Sequence, residues 1–211
     1  MPPHMVNAYY NPVLNEIVFP AGIMQNPFFD SQYEDAVNYA RMGAVIGHEL
    51  THGFDDQGSR YGADGNLENW WTTEDSIQFL HKTQKLIDQY NEFEVLDGVF
   101  INGKLTLGEN IADLGGLTIA YHAYMKSLEG KKKEVIRGFT NEQRFFLAFG
   151  QVWKNTIKED ELITRVKTDY HSPGKYRVNG TLANMPEFFQ AFDVEEGAGM
   201  RQSPEKIAKI W

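Results

Sequence analysis

A helix-dominated α+β fold is what this sequence predicts, and three observations predict it. Apolar residues recur at helical spacing in four segments, near residues 33–54, 74–93, 109–128 and 141–157. Strand character is confined to short stretches at Glu16–Phe19 and within Val99–Leu107. The 211 residues are 42% hydrophobic and 13% aromatic, enough for one core that buries well over half of the unfolded surface and far from disorder.

Each element has a local reason. Residues 1–30 are rich in Pro, Asn and aromatics, and Glu16–Phe19 forms a strand stopped by Pro20. A helix then runs from about Tyr33 to Phe54, with Asp30-Ser31 as N-caps and Ala44, Val45, Ile46 and Leu50 as its apolar bulk. The Gly/Asp-rich stretch Asp56–Gly65 reads as solvated turns rather than a structural cation loop. Trp70 and Trp71 are expected in the core. Thr72 and Asp75 form a near capping box for a helix from about Glu74 to Phe93, whose stripe of Ile77, Leu80, Gln84 and Ile87 is imperfect. His81 on it is expected in solvent.

Asn102-Gly103 signals a hairpin turn within Val99–Leu107. A helix carrying Glu109 follows and continues to about Leu128, with His122 as a packing residue. Lys131-Lys132-Lys133 is a solvated loop. Phe145, Phe146, Phe149 and Trp153 mark the core face of a helix from Asn141 to about Ile157. Ser172-Pro173-Gly174 reads as a turn, and Met185-Pro186 precedes a short helix with Phe188, Phe189 and Phe192. No internal repeat or low-complexity segment interrupts a single domain over residues 1–211.

Composition excludes several classes. A net charge of −9 argues against nucleic-acid or acidic-membrane partners. The absence of Cys rules out a disulfide framework and a thiolate metal site. There is no signal-like N-terminus and no apolar run near the roughly 18 residues a membrane helix needs, which for a fragment carries no information about the parent protein.

The chemistry concentrates in Gly47-His48-Glu49-Leu50-Thr51-His52-Gly53. Residues four apart share a helical face, so His48 and His52 aim two imidazoles at one spot, and Glu49 can reach a water held there. This pattern supplies two metal ligands and an adjacent general base. From this chain's composition a chance match arises roughly once in a hundred such chains. Two imidazoles and a carboxylate in an apolar turn would be costly without a partner, which favours the metal reading over a solvated helix turn.

Catalytic zinc takes three protein ligands and keeps one open position. The class that uses a third His six residues after the second, with a Gly between, is excluded, because those positions here are Gly58 and Asp55. The best remaining candidate is Glu109 in Leu107-Gly108-Glu109-Asn110-Ile111-Ala112-Asp113-Leu114-Gly115-Gly116. Asp113 lies one turn on, placed to accept the second ring N–H of a ligating His, and Asp55 is placed to do so for the other. On spacing alone, a solvated acidic face remains equally open for Glu109 and Asp113.

Taken together, these motifs resemble the neprilysin family (M13) of zinc peptidases, and in particular the C-terminal catalytic portion of a bacterial PepO-like member. The resemblance rests on Val6-Asn7-Ala8-Tyr9-Tyr10, Ile17-Val18-Phe19-Pro20-Ala21-Gly22-Ile23, the Gly47 to Asp55 run, Gly108 to Gly116, the run from His171 to Gly180, and the terminal Trp211. It implies a zincin (thermolysin-like) domain with a small sheet beside the metal helix and one Zn2+ held by His48, His52 and Glu109. It implies Glu49 as general base, with Asp113 and Asp55 orienting His48 and His52. His171 is the implied donor to the oxyanion and Arg177 a further contact to a substrate carbonyl. Asn7 and the backbone of Ala8 are the implied contacts to substrate main chain. Ile23, Phe28, Val45, Val152 and Trp153 fall where the family builds its apolar pocket for the residue after the cut.

The expected function is that of a metalloendopeptidase cutting oligopeptides on the amino side of bulky hydrophobic residues, with peptide substrates as partners. Family members are far longer, and their N-terminal part covers the active site. This chain therefore reads as the catalytic portion of a longer protein, weakly active by itself. The lack of Cys is similar to bacterial members but says little about compartment; the resemblance implies a bacterial parent in the cell envelope, periplasmic or secreted.

Overall fold

The computed structural model describes residues 1–132 and 134–210. Lys133, last of the lysine run, and Trp211, the family-like terminal tryptophan, lie outside the described residues. The architecture is helical with small antiparallel sheets, as the periodicity predicts. β1 (Tyr9–Asn11) pairs with β2 (Glu16–Val18) in the register Tyr9 to Val18, Tyr10 to Ile17 and Asn11 to Glu16. Pro20 then ends the strand, because it lacks an N–H for the ladder.

The metal-helix region is helical from Asp35 to His52 in three pieces. These are α1 (Asp35–Asn38), a π-helical turn (Tyr39–Gly43) and α2 (Ala44–His52). It opens at Glu34, not at Asp30-Ser31, and no side chain caps it. The Asp30 carboxylate instead accepts the backbone N–H of Gln32 in a preceding turn. Ile46 and Leu50 are exposed, against expectation. Each lies two residues from a ligating His, roughly 200° around the helix. When His48 and His52 face inward, Ile46 and Leu50 must face away.

α3 (Thr73–Asn91) has the full capping box between Thr72 and Asp75. Its buried face is Phe79, Thr83, Leu86, Gln89 and Tyr90, while Ile77 and Leu80 are exposed. Polar residues set that phase. Gln89 donates to the Gly180 carbonyl at 3.0 Å and accepts from Asn184 at 2.8 Å. His81 is exposed, as expected. Of the tryptophan pair, Trp71 packs partly buried against the core, but Trp70 is half exposed.

β3 (Glu94–Leu96) and β4 (Val99–Phe100) form the second hairpin, and its turn is Asp97-Gly98, with Gly98 at φ +71°. Asn102-Gly103 is not the turn. Asn102 uses its side-chain oxygen to accept the N–H groups of Lys104 and Leu105 in the approach to the next helix. α4 (Leu107–Ser127) follows. His122 on it is exposed and faces Glu187 at 3.8 Å, so it does not pack in the core.

α5 (Asn141–Val152) is shorter than expected and ends at Trp153. Phe145, Phe146 and Phe149 are buried on it. α6 (Glu159–Thr168) was not evident in the apolar pattern. Ser172-Pro173-Gly174 is not a free turn: Pro173 opens α7 (Gly174–Leu182). α8 (Pro186–Phe192) completes the set. The main core is an aromatic mass between α3, α4, α5 and α8, including Tyr121, Tyr124, Phe145, Phe146 and Phe188. A second small cluster of Ala8, Ile23, Met42 and Val45 joins the N-terminal segment to the metal-helix region. Among the described residues, no helix is long and apolar enough to cross a membrane.

Candidate metal centre

The centre exists because α2 and α4 touch backbone to backbone. A methyl group on Gly47 would sit 2.5 Å from the Gly116 carbonyl oxygen, and one on Gly116 would sit 2.4 Å from the His48 nitrogen. Only glycine permits that approach. Farther toward the start of α4, Gly108 lies under Asp55 and Asp56, where a Cβ would meet their carboxylates at 3.1 and 2.9 Å. These contacts bring the first two turns of α4 under the histidines of α2.

His48 Nδ1 is 2.8 Å from Asp113 Oδ1, and His52 Nδ1 is 2.7 Å from Asp55 Oδ2. A carboxylate accepts only, so each Nδ1 carries a proton, and in the neutral ring that binds a cation each Nε2 then presents its lone pair. The two Nε2 atoms lie 3.0 Å apart. Glu109 adds a carboxylate oxygen 3.1 Å from His48 Nε2 and another 3.7 Å from His52 Nε2. Ligand atoms of His48, His52 and Glu109 all lie within 4.8 Å of one another. Glu109 Oε2 is buried and, although His48 Nε2 and His171 Nε2 lie 3.1 and 3.3 Å away, neither contact has hydrogen-bond geometry. Lone pairs aimed at one another, beside an unsatisfied carboxylate oxygen, fit a bound cation, and two imidazoles with one carboxylate fit zinc.

The charge around this point has the same sense. Burial by itself would lower the His48 pKa, but Asp113 and Glu109 outweigh it and push it up to about 9. Burial opposes ionisation of Glu109 too, yet His48, His171 and His52 hold it down at about 2. Asp113 is buried, which would raise its pKa, and Arg177 with His48 keeps it well below the usual carboxylate range. The pocket thus attracts positive charge through carboxylates that stay ionised.

Asp55 does more than hold His52. Its Oδ1 accepts the backbone N–H groups of Gln57 and Gly58 at 2.8 and 2.7 Å, which fixes the chain where α2 ends. Glu49 is buried and lines the same cleft, and burial raises its pKa. His171 places Nε2 3.3 Å from Glu109 Oε2, with Nδ1 2.9 Å from Asp169. Asp169, the partner of His171, is a site residue that the motif reading passed over. Its signal is the acceptor two positions before the His.

Arg177, on α7, is buried and grips Asp113 with two bonds, Nε to Oδ2 at 2.7 Å and Nη2 to Oδ1 at 2.6 Å. Its guanidinium lies 4.0 Å over the Trp153 ring. Arg177, Asp113 and His48 therefore form one continuous chain of hydrogen bonds.

The cleft that holds these groups has a volume of about 390 Å³. Asn7 and Ala8 line it beside β1, and Ile23, Phe28, Val45 and Trp153 form its apolar end. Val152 is not among the residues that line it, whereas Phe149, one turn earlier on α5, is. The Asn7 side chain also accepts the Ala8 N–H at 3.0 Å. Among the described residues, His48, His52 and Glu109 are the one acidic or histidine group with metal-site spacing.

Comparison with known proteins gives a consistent picture. The family model described as Peptidase family M13 matches residues 7–207. Neprilysin-3 of Drosophila melanogaster is 42% identical over 215 residues, covering 100% of this chain and 27% of that protein. Human neprilysin is 43% identical over 212 residues, covering 98% of this chain and 28% of its own length. Among solved structures, the Mycobacterium tuberculosis zinc metalloprotease Zmp1 in complex with an inhibitor matches at 48% identity with a TM-score of 0.96, over 99% of this chain and 33% of that one. PepO from Lactobacillus rhamnosis HN001 matches at 36% identity with a TM-score of 0.88, over 100% of this chain and 32% of that one. The chain thus spans less than a third of the length of these curated relatives. A family match across nearly every residue, with the zinc-type donors His48, His52 and Glu109 converged in space, makes this chain a member of peptidase family M13.

Proposed function

We propose that residues 1–211 are the catalytic domain of a zinc metalloendopeptidase that cuts oligopeptides on the amino side of bulky hydrophobic residues. One observation carries this reading: the His48 and His52 lone pairs, the Glu109 carboxylate and the buried Glu49 share a single cleft. Zinc, when held by His48, His52 and Glu109, supplies a Lewis acid for the scissile carbonyl and makes hydroxide available near pH 7, about where such ions bring the pKa of water.

The chain's own residues do the rest. Glu49 takes the proton of the attacking water and returns it to the leaving amine. Its raised pKa supports that role by bringing it nearer the working pH. Asp113 and Asp55 hold the two Nδ1–H groups and so keep both Nε2 lone pairs facing the ion. His171 donates to the oxyanion as it forms, a contribution of roughly 2.7–4 kcal/mol in comparable sites. Asp113 occupies Nε and Nη2 of Arg177, which leaves Nη1 for a substrate carbonyl. Asn7 and the Ala8 backbone take the substrate main chain by extension of β1, which among the described residues pairs only with β2. Ile23, Phe28, Val45 and Trp153, with Phe149, receive the side chain after the cut.

The test is Glu49→Gln in the zinc-loaded full chain, assayed on a peptide panel by mass spectrometry. Zinc content should stay at one ion, and cleavage should fall about 10²–10⁴-fold. Hydrolysis at the wild-type rate overturns the role of Glu49. Cuts confined to peptide ends overturn the endopeptidase reading.

A further inference from the structure

His171 carries a demanding job on an undemanding scaffold. Its side chain is about one-third exposed, at 36%, and the ring it packs on, Tyr170 at 4.5 Å between centroids, belongs to the same loop. Its Asp169 partner rides on the same loop, and therefore fixes the ring relative to the loop rather than to the metal helix. A donor to an oxyanion must be placed within a fraction of an ångström, since a misplacement of about 1 Å can cost about 10²-fold in rate.

The next residue supplies what is missing. Ser172 is buried, and its hydroxyl donates to Asn110 Oδ1 at 2.8 Å. Asn110, which follows Glu109 on α4, is only 1% exposed. Its Nδ2 donates to Thr106 Oγ1 at 2.9 Å, and Thr106 in turn donates to the Asn102 carbonyl at 3.2 Å. This buried relay joins the residue after the zinc ligand Glu109 to the residue after the oxyanion donor His171. A buried amide must be satisfied, so the relay has one low-energy arrangement. It transmits the position of α4 to the His171 loop.

We infer that Asn110 and Ser172 are positioning residues that set His171 relative to the metal centre. The inference rests on the reading of His171 as oxyanion donor. Neither residue touches substrate or ion, and both act through the His171 backbone.

The experiment is a double-mutant cycle on the zinc-loaded full chain with Ser172→Ala, His171→Ala and the pair together. Ser172→Ala should lower kcat roughly 10- to 100-fold, with KM and zinc affinity within about twofold of wild type. In the His171→Ala background it should change kcat by less than about twofold, because the group it positions is gone. Ser172→Cys keeps a weak S–H donor and should fall between Ser and Ala, which preserves the test if the alanine variant folds poorly. Equal losses in both backgrounds, or an alanine variant as fast as wild type, overturn the positioning role alone. A His171→Ala enzyme as fast as wild type overturns the donor reading itself and the inference with it.

Discussion

The two halves of α4 are held by opposite means: the first is buried almost throughout, the second only along the face of Ala120, Tyr121 and Tyr124. In the first half, Glu109, Asn110 and Asp113 each face a named polar atom at hydrogen-bond or ion-pair distance. In the second, Tyr121 stacks on Phe146 with centroids 5.3 Å apart and Tyr124 stacks on Phe145 at 5.8 Å. The first half depends on direction and tolerates no change of atom. The second depends on area and shape, and it tolerates changes that keep volume. One rigid helix thus carries a charge cluster anchored to a hydrophobic wall, and the wall supplies the stability that converging carboxylates cannot.

The largest effect should come from the wall. Phe145 is fully buried and meets Tyr121, Tyr124 and Phe146. Phe145→Ala should cost about 3–5 kcal/mol by denaturant unfolding, from lost contacts and the cavity left behind. Zinc affinity of the molecules that stay folded should not move. A loss under about 1 kcal/mol would mean that the halves do not divide their labour in this way.

The halves meet at the glycine crossing, and a substitution there should damage both. Gly47→Ala puts a methyl group 2.5 Å from the Gly116 oxygen and 2.8 Å from its Cα, and neither backbone atom can rotate aside. About 3 kcal/mol of overpacking is expected, together with weaker zinc binding, because His48 and Glu109 must separate. Gly43→Ala is the matched control. Its methyl would meet Ala120 Cβ at an ordinary 3.7 Å, and it replaces a glycine in right-handed helical backbone. That variant should be neutral or stabilised by up to about 1 kcal/mol. Opposite signs in two thermal melts would isolate the crossing as the cause.

A smaller effect is expected from Asp55→Asn, which touches only the directional half. It removes the charge facing His52 Nδ1 and places an NH2 group against one of three donors. Zinc affinity should fall about 10- to 100-fold, as is usual when the partner of a ligating His is lost. Competitive titration with a chromogenic chelator measures it. A change under twofold would reduce Asp55 to a cap for the loop after α2.

What the sequence could and could not show follows the same division. His48 with His52, and Glu109 with Asp113, were legible because four-residue spacing on a helix converts directly into a shared face. Their convergence was not, since it depends on Gly47 and Gly116 touching across 69 positions of chain. Asn110 carried no signal: an Asn inside a helix looks unremarkable until Ser172, 62 residues away, is found on its oxygen. Gly98 and Gly103 both follow turn-forming residues, and composition could not say which pair made the hairpin.

The smallest predicted effect is the most direct check on how periodicity was read. On α3 the apolar pattern favours Ile77, Leu80, Gln84 and Ile87, whereas the buried face is Phe79, Thr83, Leu86, Gln89 and Tyr90. Tyr90 and Gln89 decide the phase, because each must bury a polar atom against a specific partner: the Tyr176 carbonyl for Tyr90, the Gly180 carbonyl for Gln89. An unmet buried donor costs about 1–3 kcal/mol, comparable to the roughly 1.5–3 kcal/mol forgone by leaving a leucine in water, and the observed phase meets both donors while still burying Phe79 and Leu86. Leu80 is 66% exposed and Leu86 only 1%. Leu80→Ser should therefore change stability by no more than about 0.5 kcal/mol, while Leu86→Ala should cost about 2–5 kcal/mol. Equal costs at the two leucines would put the helix in the phase its apolar residues suggest, and would mean that hydrogen bonding does not govern how α3 is turned against the core.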